Sequence, residues 1–334
     1  MTAPDARSEE LPESARELLR TTLERPAPAP VDAYSIMAWA SGVRDGGASY
    51  WTSAPGERRA PAVMATTWLA GPRWSPHEQQ GSGLSLHHDL KAALGYPFAV
   101  VRSIDNRYGA PVHEGDLLTS RYAIKRVSPE RPMRRGPGRT WDIGVEIRNQ
   151  RDEIVAVTTW GFSAYRLDES AAGAESKAEA KPAAQPEQID GEPLPSLEVP
   201  IDTSTVILSA LASRDVTAFH HDPAAARASG MEDIIVNTPA RLGFLSRWLV
   251  TDTWPDARLC QLRLNLNRSI HPGEHLTLSG RQTATEQLND SVHRRDVRFT
   301  ESTTHPVGHG TATVLTGAGA WDIPWTDLID TDER

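Results

Sequence analysis

The chain has a single cysteine, Cys260, in 334 residues. One thiol excludes an internal disulfide and a thiolate metal cage, and it fits a reducing compartment. Long apolar runs are absent as well, since no stretch approaches the roughly 20 residues a membrane helix needs. Met1-Thr2-Ala3-Pro4-Asp5 offers no basic region followed by an apolar one, so no secretory signal is read. A cytoplasmic protein with no membrane partner is the expectation. Gly-rich phosphate loops and a Gly-x-Ser-x-Gly elbow are missing, which counts against nucleotide hydrolysis and α/β-hydrolase chemistry. Excess positive charge is missing too: 35 Lys and Arg stand against 44 Asp and Glu, a net charge of −9. That argues against a nucleic-acid partner. An anionic small ligand stays open, because a local arginine cluster holds phosphates on an acidic protein.

What is present is ordinary for a globular chain, 39% hydrophobic and 24% charged, and the length suits two domains. Residues 1–30 read as a peripheral tail with a short helix: Leu11, Ala15, Leu18, Leu19 and Leu23 repeat at helical spacing before Pro26, Pro28 and Pro30 end it. Residues 169–198 are poor in anything to bury and read as a flexible linker. They separate two segments of similar size, 31–168 and 199–334.

Those segments look like diverged copies of one plan. Each opens with a helical stretch, Ser35 to Ala40 or Thr205 to Leu211. An irregular stretch with an aspartate follows, Asp45 or Asp215. A proline-led helix comes next, Pro61 to Trp68 or Pro239 to Leu245, since proline suits a first helical turn. Arg121 to Val127 and Leu262 to Asn267 alternate apolar with polar, the period of a half-buried strand. The turns His113-Glu114-Gly115-Asp116 and His271-Pro272-Gly273-Glu274 precede strands at matching places. Strand pairs close each half: Trp141 to Arg148 with Ile154 to Tyr165, and Val292 to Phe299 with Gly310 to Leu315. A helix and several antiparallel strands, given twice, predict an α+β protein in which each sheet wraps a helix.

One constellation carries chemistry. Asp215 and His220 lie five residues apart across a turn, with Asp222, Ala226 and Gly230 beyond them. Histidine is the usual general base near neutral pH, and a carboxylate beside it orients a water or serves as acid. Spacing alone favours a helix cap and a solvated side chain over a catalytic pair.

The wider segment Asp215-Val216-Thr217-Ala218-Phe219-His220-His221-Asp222 resembles the signature of MaoC-like hydratases, the hotdog-fold (R)-specific enoyl-CoA hydratases and 3-hydroxyacyl-thioester dehydratases. That pattern is Asp-x-(Asn or Thr)-Pro-x-His-x-Asp, followed by Ala and Gly. Ala218 replaces the proline, and Arg214 stands where glycine is common. The resemblance continues through Asn237-Thr238-Pro239 and through Leu262 to Glu274. It implies a double hotdog, with 199–334 catalytic and 31–168 a degenerate half that shapes the acyl site. Aligning Asp45 with Asp215 puts Tyr50 at the place of His220, and a phenol with a pKa near ~10 is a poor base.

The resemblance implies reversible hydration of a trans-2-enoyl thioester to an (R)-3-hydroxyacyl thioester. The thioester is carried by coenzyme A or by the phosphopantetheine of an acyl carrier protein, and no metal or other cofactor is expected. Asp215 and His220 are the expected catalytic pair, and backbone N–H groups near Asn237 and Thr238 the expected thioester-oxygen donors. Asp222, Arg263 and Arg268 are candidate substrate contacts, the arginines through coenzyme A phosphates. A homodimer is a further expectation. Two alternatives stand beside this reading. A hotdog thioesterase is disfavoured because Pro239 to Leu249 holds no carboxylate, and a non-catalytic acyl-binding or partner subunit because Asp215 and His220 are both retained. His87-His88-Asp89 offers no third ligand at a useful spacing and reads as structural. Cys260 reads as a small buried residue.

Overall fold

A computed structural model of the chain describes residues 11–72, 74, 76, 84–133, 136–166 and 190–328. The expected tail before Leu11, most of the expected linker, Arg134, Arg135 and the last six residues lie outside that set. No described helix is long and apolar enough to cross a membrane.

Two helices open the halves. Helix α2 (Ala33–Gly42) is capped by Asp32, whose carboxylate accepts from Ser35 N–H at 2.8 Å. Helix α5 (Thr203–Ala212) is capped by Asp202, which accepts from Thr205 N–H at 2.6 Å. Each ends in a residue of left-handed conformation, Arg44 and Arg214, both at φ 56°. Each then ties the next aspartate back to the helix: Asp45 N–H donates to Ala40 C=O at 2.7 Å, and Asp215 N–H to Ala210 C=O at 2.9 Å. The turns expected at Gly115 and Gly273 are matched as well, at φ 92° and 93°, a region that favours glycine. The sequence repeat is therefore a repeat of backbone geometry.

The strands extend the same symmetry. In the first half β2 (Phe98–Tyr108), β3 (Thr119–Val127), β5 (Gly136–Arg148) and β6 (Ile154–Tyr165) lie in the order β3-β5-β6-β2. In the second, β9 (Arg258–Leu266), β10 (His275–Gln287), β11 (His293–Ser302) and β12 (Pro306–Thr316) lie as β9-β12-β11-β10. Strands β2 and β9 pair antiparallel at the centre, from Ser103 opposite Asn265 to Arg107 opposite Gln261, and join both halves into one sheet. Period-2 alternation sets the faces: Leu262 and Leu264 are buried, while Arg263 and Asn265 between and beyond them are exposed. This is the double hotdog that the resemblance implies. Buried apolar side chains from both halves form one core, including Trp39, Trp68, Trp141 and Trp248.

Helix α7 (Thr238–Arg247) lies against the second half's sheet and continues into a π-helical turn, Trp248–Thr253. Its residues 240–246 are all buried, Arg241 among them. Arg241 forms an ion pair with Glu301 of β11 and donates to the carbonyls of Val307 (2.9 Å) and Arg268 (3.1 Å). Both ion-pair partners are buried, so the guanidinium's solvation is replaced by three acceptors rather than one.

Four expectations need correction. The proline-led stretch of the first half is not a helix. It forms two 3-10 turns, Ala62–Met64 and Thr67–Leu69, because the β-branched pair Thr66-Thr67 and the following Gly71-Pro72 favour a short irregular path. The helix on that half's sheet is α4 (Ser85–Ala93). The tail is not peripheral: after α1 (Glu13–Arg20), which buries Ala15, strand β1 (Thr22–Pro26) pairs with β3 at the sheet edge. The linker does not reach 198. Glu192–Pro193 (β7) and Leu197–Pro200 (β8) pair with β10 and cover the opposite edge. The last strand begins before the expected Gly310: β12 starts at Pro306, and His309 lies opposite Thr300.

Candidate active site

Asp215 follows the C-terminal end of α5, and His220 closes a 3-10 turn, Ala218–His220. That turn forms without the proline of the signature, because Thr217 at its start already takes the extended backbone (φ −64°, ψ 129°) that proline would impose on its predecessor. It brings His220 Nε2 to 3.2 Å from Asp215 Oδ2. The imidazole is 6% exposed and the carboxylate side chain 26%, so the pair is sunk but open on the aspartate side.

The ring's other nitrogen decides its chemistry. His220 Nδ1 lies 2.8 Å from the carbonyl of Ile235, a pure acceptor, so Nδ1 carries a hydrogen. Nε2 is then the working nitrogen, facing a carboxylate oxygen. Two acceptors do not face each other at that distance, so the contact calls for a proton between Nε2 and Oδ2.

Asp215 is held on both oxygens. Oδ1 accepts from Thr217 Oγ1 at 2.7 Å and from Thr217 N–H at 3.3 Å, and Oδ2 accepts from Asn237 Nδ2 at 3.2 Å. Burial alone would push its pKa up. The hydrogen bond and charge of His220, with Thr217 and Asn237, outweigh that and hold the carboxyl down at about 2. Asn237 is the N-cap of α7, its Oδ1 accepting from Ala240 N–H at 3.0 Å, and its amide also donates to Ser213 Oγ at 2.7 Å. Pro239 has no N–H and Ala240 N–H is capped, so Thr238 N–H is the donor left without an acceptor in the first turn of α7 among the described residues.

The structure thus gathers Asp215, His220, Asn237 and Thr238. The other expected contacts lie elsewhere. Asp222 is the N-cap of α6 (Pro223–Ala228), its Oδ1 accepting from Ala224 N–H at 2.8 Å and Ala225 N–H at 3.3 Å. Arg263 faces away from the buried side of β9 and pairs with Asp105 at 2.7 Å. Arg268 is exposed, and its guanidinium makes no ion pair among the described residues. His221 bonds the Val216 carbonyl at 3.3 Å, away from the pair. Ser213 and the Ile235 carbonyl were not singled out from the sequence. A comparison of each position around Asp215 with its mate around Asp45 would have exposed the first, while a backbone carbonyl leaves no trace in residue identity.

The same place in the first half is a contrast. Asp45 is buried, accepting from Gly47 N–H at 2.9 Å and from Thr251 Oγ1 of the π-helical turn at 2.8 Å. Burial raises its pKa, and it likewise raises that of the Tyr50 phenol beside it.

No family profile matches the chain. A curated protein of Mycobacterium tuberculosis, the 3-oxo-4,17-pregnadiene-20-carboxyl-CoA hydratase beta subunit, is 33% identical over 102 residues, 30% of this chain and 77% of that protein. The chain belongs to the MaoC-like hydratase and dehydratase family. Solved structures agree on the fold. A MaoC-like dehydratase superposes with TM-score 0.68 at 13% identity, over 91% of this chain and 100% of that one. A MaoC-like dehydratase of Phytophthora capsici gives 0.62 at 15%, over 91% and 99%. A Mycobacterium tuberculosis protein described as a double hotdog gives 0.52 at 15%, over 88% and 95%. The curated relative is named as a hydratase and two of the solved structures as dehydratases.

Proposed function

We propose that the chain hydrates a trans-2-enoyl thioester to its (R)-3-hydroxyacyl thioester, or runs the reverse dehydration, at Asp215 and His220. The observation that carries this reading is the pair itself: Nδ1 fixed by the Ile235 carbonyl at 2.8 Å and Nε2 at 3.2 Å from Asp215 Oδ2. A water touching both groups is polarised by both. Its oxygen bonds to the β-carbon, one of its protons goes to the pair, and the pair's proton goes to the α-carbon, so the double bond is saturated with no redox change. Charge gathers on the thioester oxygen as the α-carbon becomes nucleophilic. Thr238 N–H, at the positive end of α7, is the donor placed to meet it.

The thioester is that of coenzyme A or of an acyl carrier protein's phosphopantetheine. The relative's name, a steroidal coenzyme A hydratase, supports coenzyme A, and its description as a beta subunit supports a partner subunit. Arg268 is the candidate for the phosphates, because the guanidinium of Arg263 is already engaged by Asp105.

Loss of enoyl absorbance from crotonyl-CoA and from longer enoyl-CoA substrates tests the proposal. Wild type should be active. His220→Ala and Asp215→Asn should each lose about 10²–10⁴-fold in kcat, the usual worth of a positioned acid or base. Activity that survives both changes overturns the assignment. Release of free coenzyme A with no hydroxyacyl product would turn the reading to a thioesterase.

A further inference from the structure

The two halves allow an internal comparison that isolates one side chain. Asp215 and Asp45 occupy equivalent backbone positions, as do Thr217 and Gly47, whose N–H groups both donate to the preceding aspartate. Ser213 and Val43 both end the first helix of their half, with N–H groups donating to Ser209 and Trp39. Asn237 and Pro61 both follow a residue whose N–H donates to the strand-entry loop, Val236 to Ile270 and Ala60 to Val112. The first half keeps the aspartate. It replaces the histidine with Tyr50, the threonine with Gly47, the asparagine with Pro61 and the serine with Val43. All four of these second-half side chains are exchanged together in the first half, where Thr251 bonds the aspartate instead.

Ser213 is the member of that set with no contact to Asp215 or His220. Its hydroxyl donates to Ala210 C=O at 2.9 Å and accepts from Asn237 Nδ2 at 2.7 Å, and both side chains are buried. Capping α5 is not the reason for the serine, because Val43 ends α2 in the same way without a hydroxyl. The helix N-terminus fixes which way the Asn237 amide points: only Oδ1 can accept from Ala240 N–H, so the amide nitrogen faces Ser213 and Asp215. One of its hydrogens goes to each. Without the serine, the amide loses its shortest contact, the 2.7 Å bond at Nδ2, and only the Ala240 N–H cap is left to aim that nitrogen at Asp215 Oδ2, the oxygen that His220 Nε2 faces.

We propose that Ser213 is a positioning residue: through Asn237 it holds Asp215 Oδ2 in line with His220 Nε2. This rests on the proposed hydration at that pair. The set Ser213–Asn237–Asp215–His220 is one chain of hydrogen bonds, and its first link lies outside the family signature described above.

The test uses the full chain with Ser213→Ala and Ser213→Thr. The Asp215 carboxyl is titrated by carbon-13 NMR, and kcat/KM for an enoyl-CoA is measured across pH. Ser213→Ala should move the Asp215 midpoint upward, shift the acid limb of kcat/KM the same way and lower kcat/KM about tenfold, roughly the loss of one positioning hydrogen bond. Ser213→Thr, which keeps a hydroxyl, should restore all three. A midpoint that stays put in a folded Ser213→Ala protein overturns the proposal, as does an equal shift in Ser213→Thr. If Ser213→Ala does not fold, Ser213→Cys, with a weaker acceptor in the same space, carries the same expectation and the same refutation. The NMR midpoint needs no turnover. If wild type hydrates no thioester while the midpoint still moves, the functional reading fails and the positioning role stands.

Discussion

At the scale of single residues, burial decides what each reactive-looking side chain does. His87 is buried on α4. It stacks on Phe162 at 3.9 Å and accepts from Trp141 Nε1 at 3.1 Å through Nδ1. Burial, with His88 and Lys91 nearby, pushes its pKa down to about 3. Below about 6.5 the unfolded chain takes up a proton that the folded chain refuses until about 3, so stability falls as pH falls across that window. Chemical denaturation at pH 8 and pH 5 should show wild type losing about 2 kcal/mol more than His87→Gln, whose oxygen accepts from Trp141 but does not titrate. An identical loss in both would remove His87 as the cause. Cys260 follows the same logic: burial raises its thiol to about 11, so it should resist maleimide in the native state and react once unfolded. The structural role of His87 is legible in the sequence because no third ligand lies at a useful spacing, and that of Cys260 because a lone thiol beside a strand suits a small buried site. Asp215 and His220 are legible because they sit in one short loop. The capping of α6 by Asp222 is not, since an aspartate before Pro-Ala-Ala-Ala suits either task until its geometry is known.

At the scale of elements, α7 is the piece that the site depends on. Its first residues supply the Asn237 amide and the Thr238 N–H, and its second turn passes so close to the end of α2 that a Cβ on Gly243 would lie 2.7 Å from Val43 Cγ1. The Arg241–Glu301 pair pins this helix to β11 inside the core. Arg241→Met should destabilise the protein by about 3–5 kcal/mol in urea unfolding, because Glu301 is left charged and unpaired. Adding Glu301→Gln should recover a large part of that. A single mutant within about 0.5 kcal/mol of wild type would show that the helix is held by apolar packing alone. This element was legible from Asn237-Thr238-Pro239, a cap followed by a proline in the first turn. Its counterpart in the first half was not. Pro61 gives the same start signal, but the residues after it do not sustain a helix, and α4, which does the packing, carries no proline or cap to announce it.

At the scale of the molecule, the seam between β2 and β9 makes the two halves one object. Five residue pairs join them there, and Arg263 bonds Asp105 across the join. Further links lie on the helical side: Arg214 bonds Ser35 at 3.2 Å and pairs with Asp32 at 3.4 Å, and Thr251 bonds Asp45 at 2.8 Å. Residues 190–334 made alone would expose β9 as an unpaired edge and would uncover the face of α7 that packs on Trp39 and Val43. An open, regular edge recruits another strand. The separate second half is therefore expected to self-associate in sedimentation velocity, through β9 of a second copy, and to lack the first-half contacts to Arg214 that steady the loop before Asp215. Co-expression with residues 1–168 should return a one-to-one complex that unfolds in a single transition, with the enoyl-CoA activity of the intact chain. A second half that is monomeric, folded and fully active alone would show that the degenerate half contributes nothing to the site, and that the retained Asp45 and the contacts around Arg214 serve packing only.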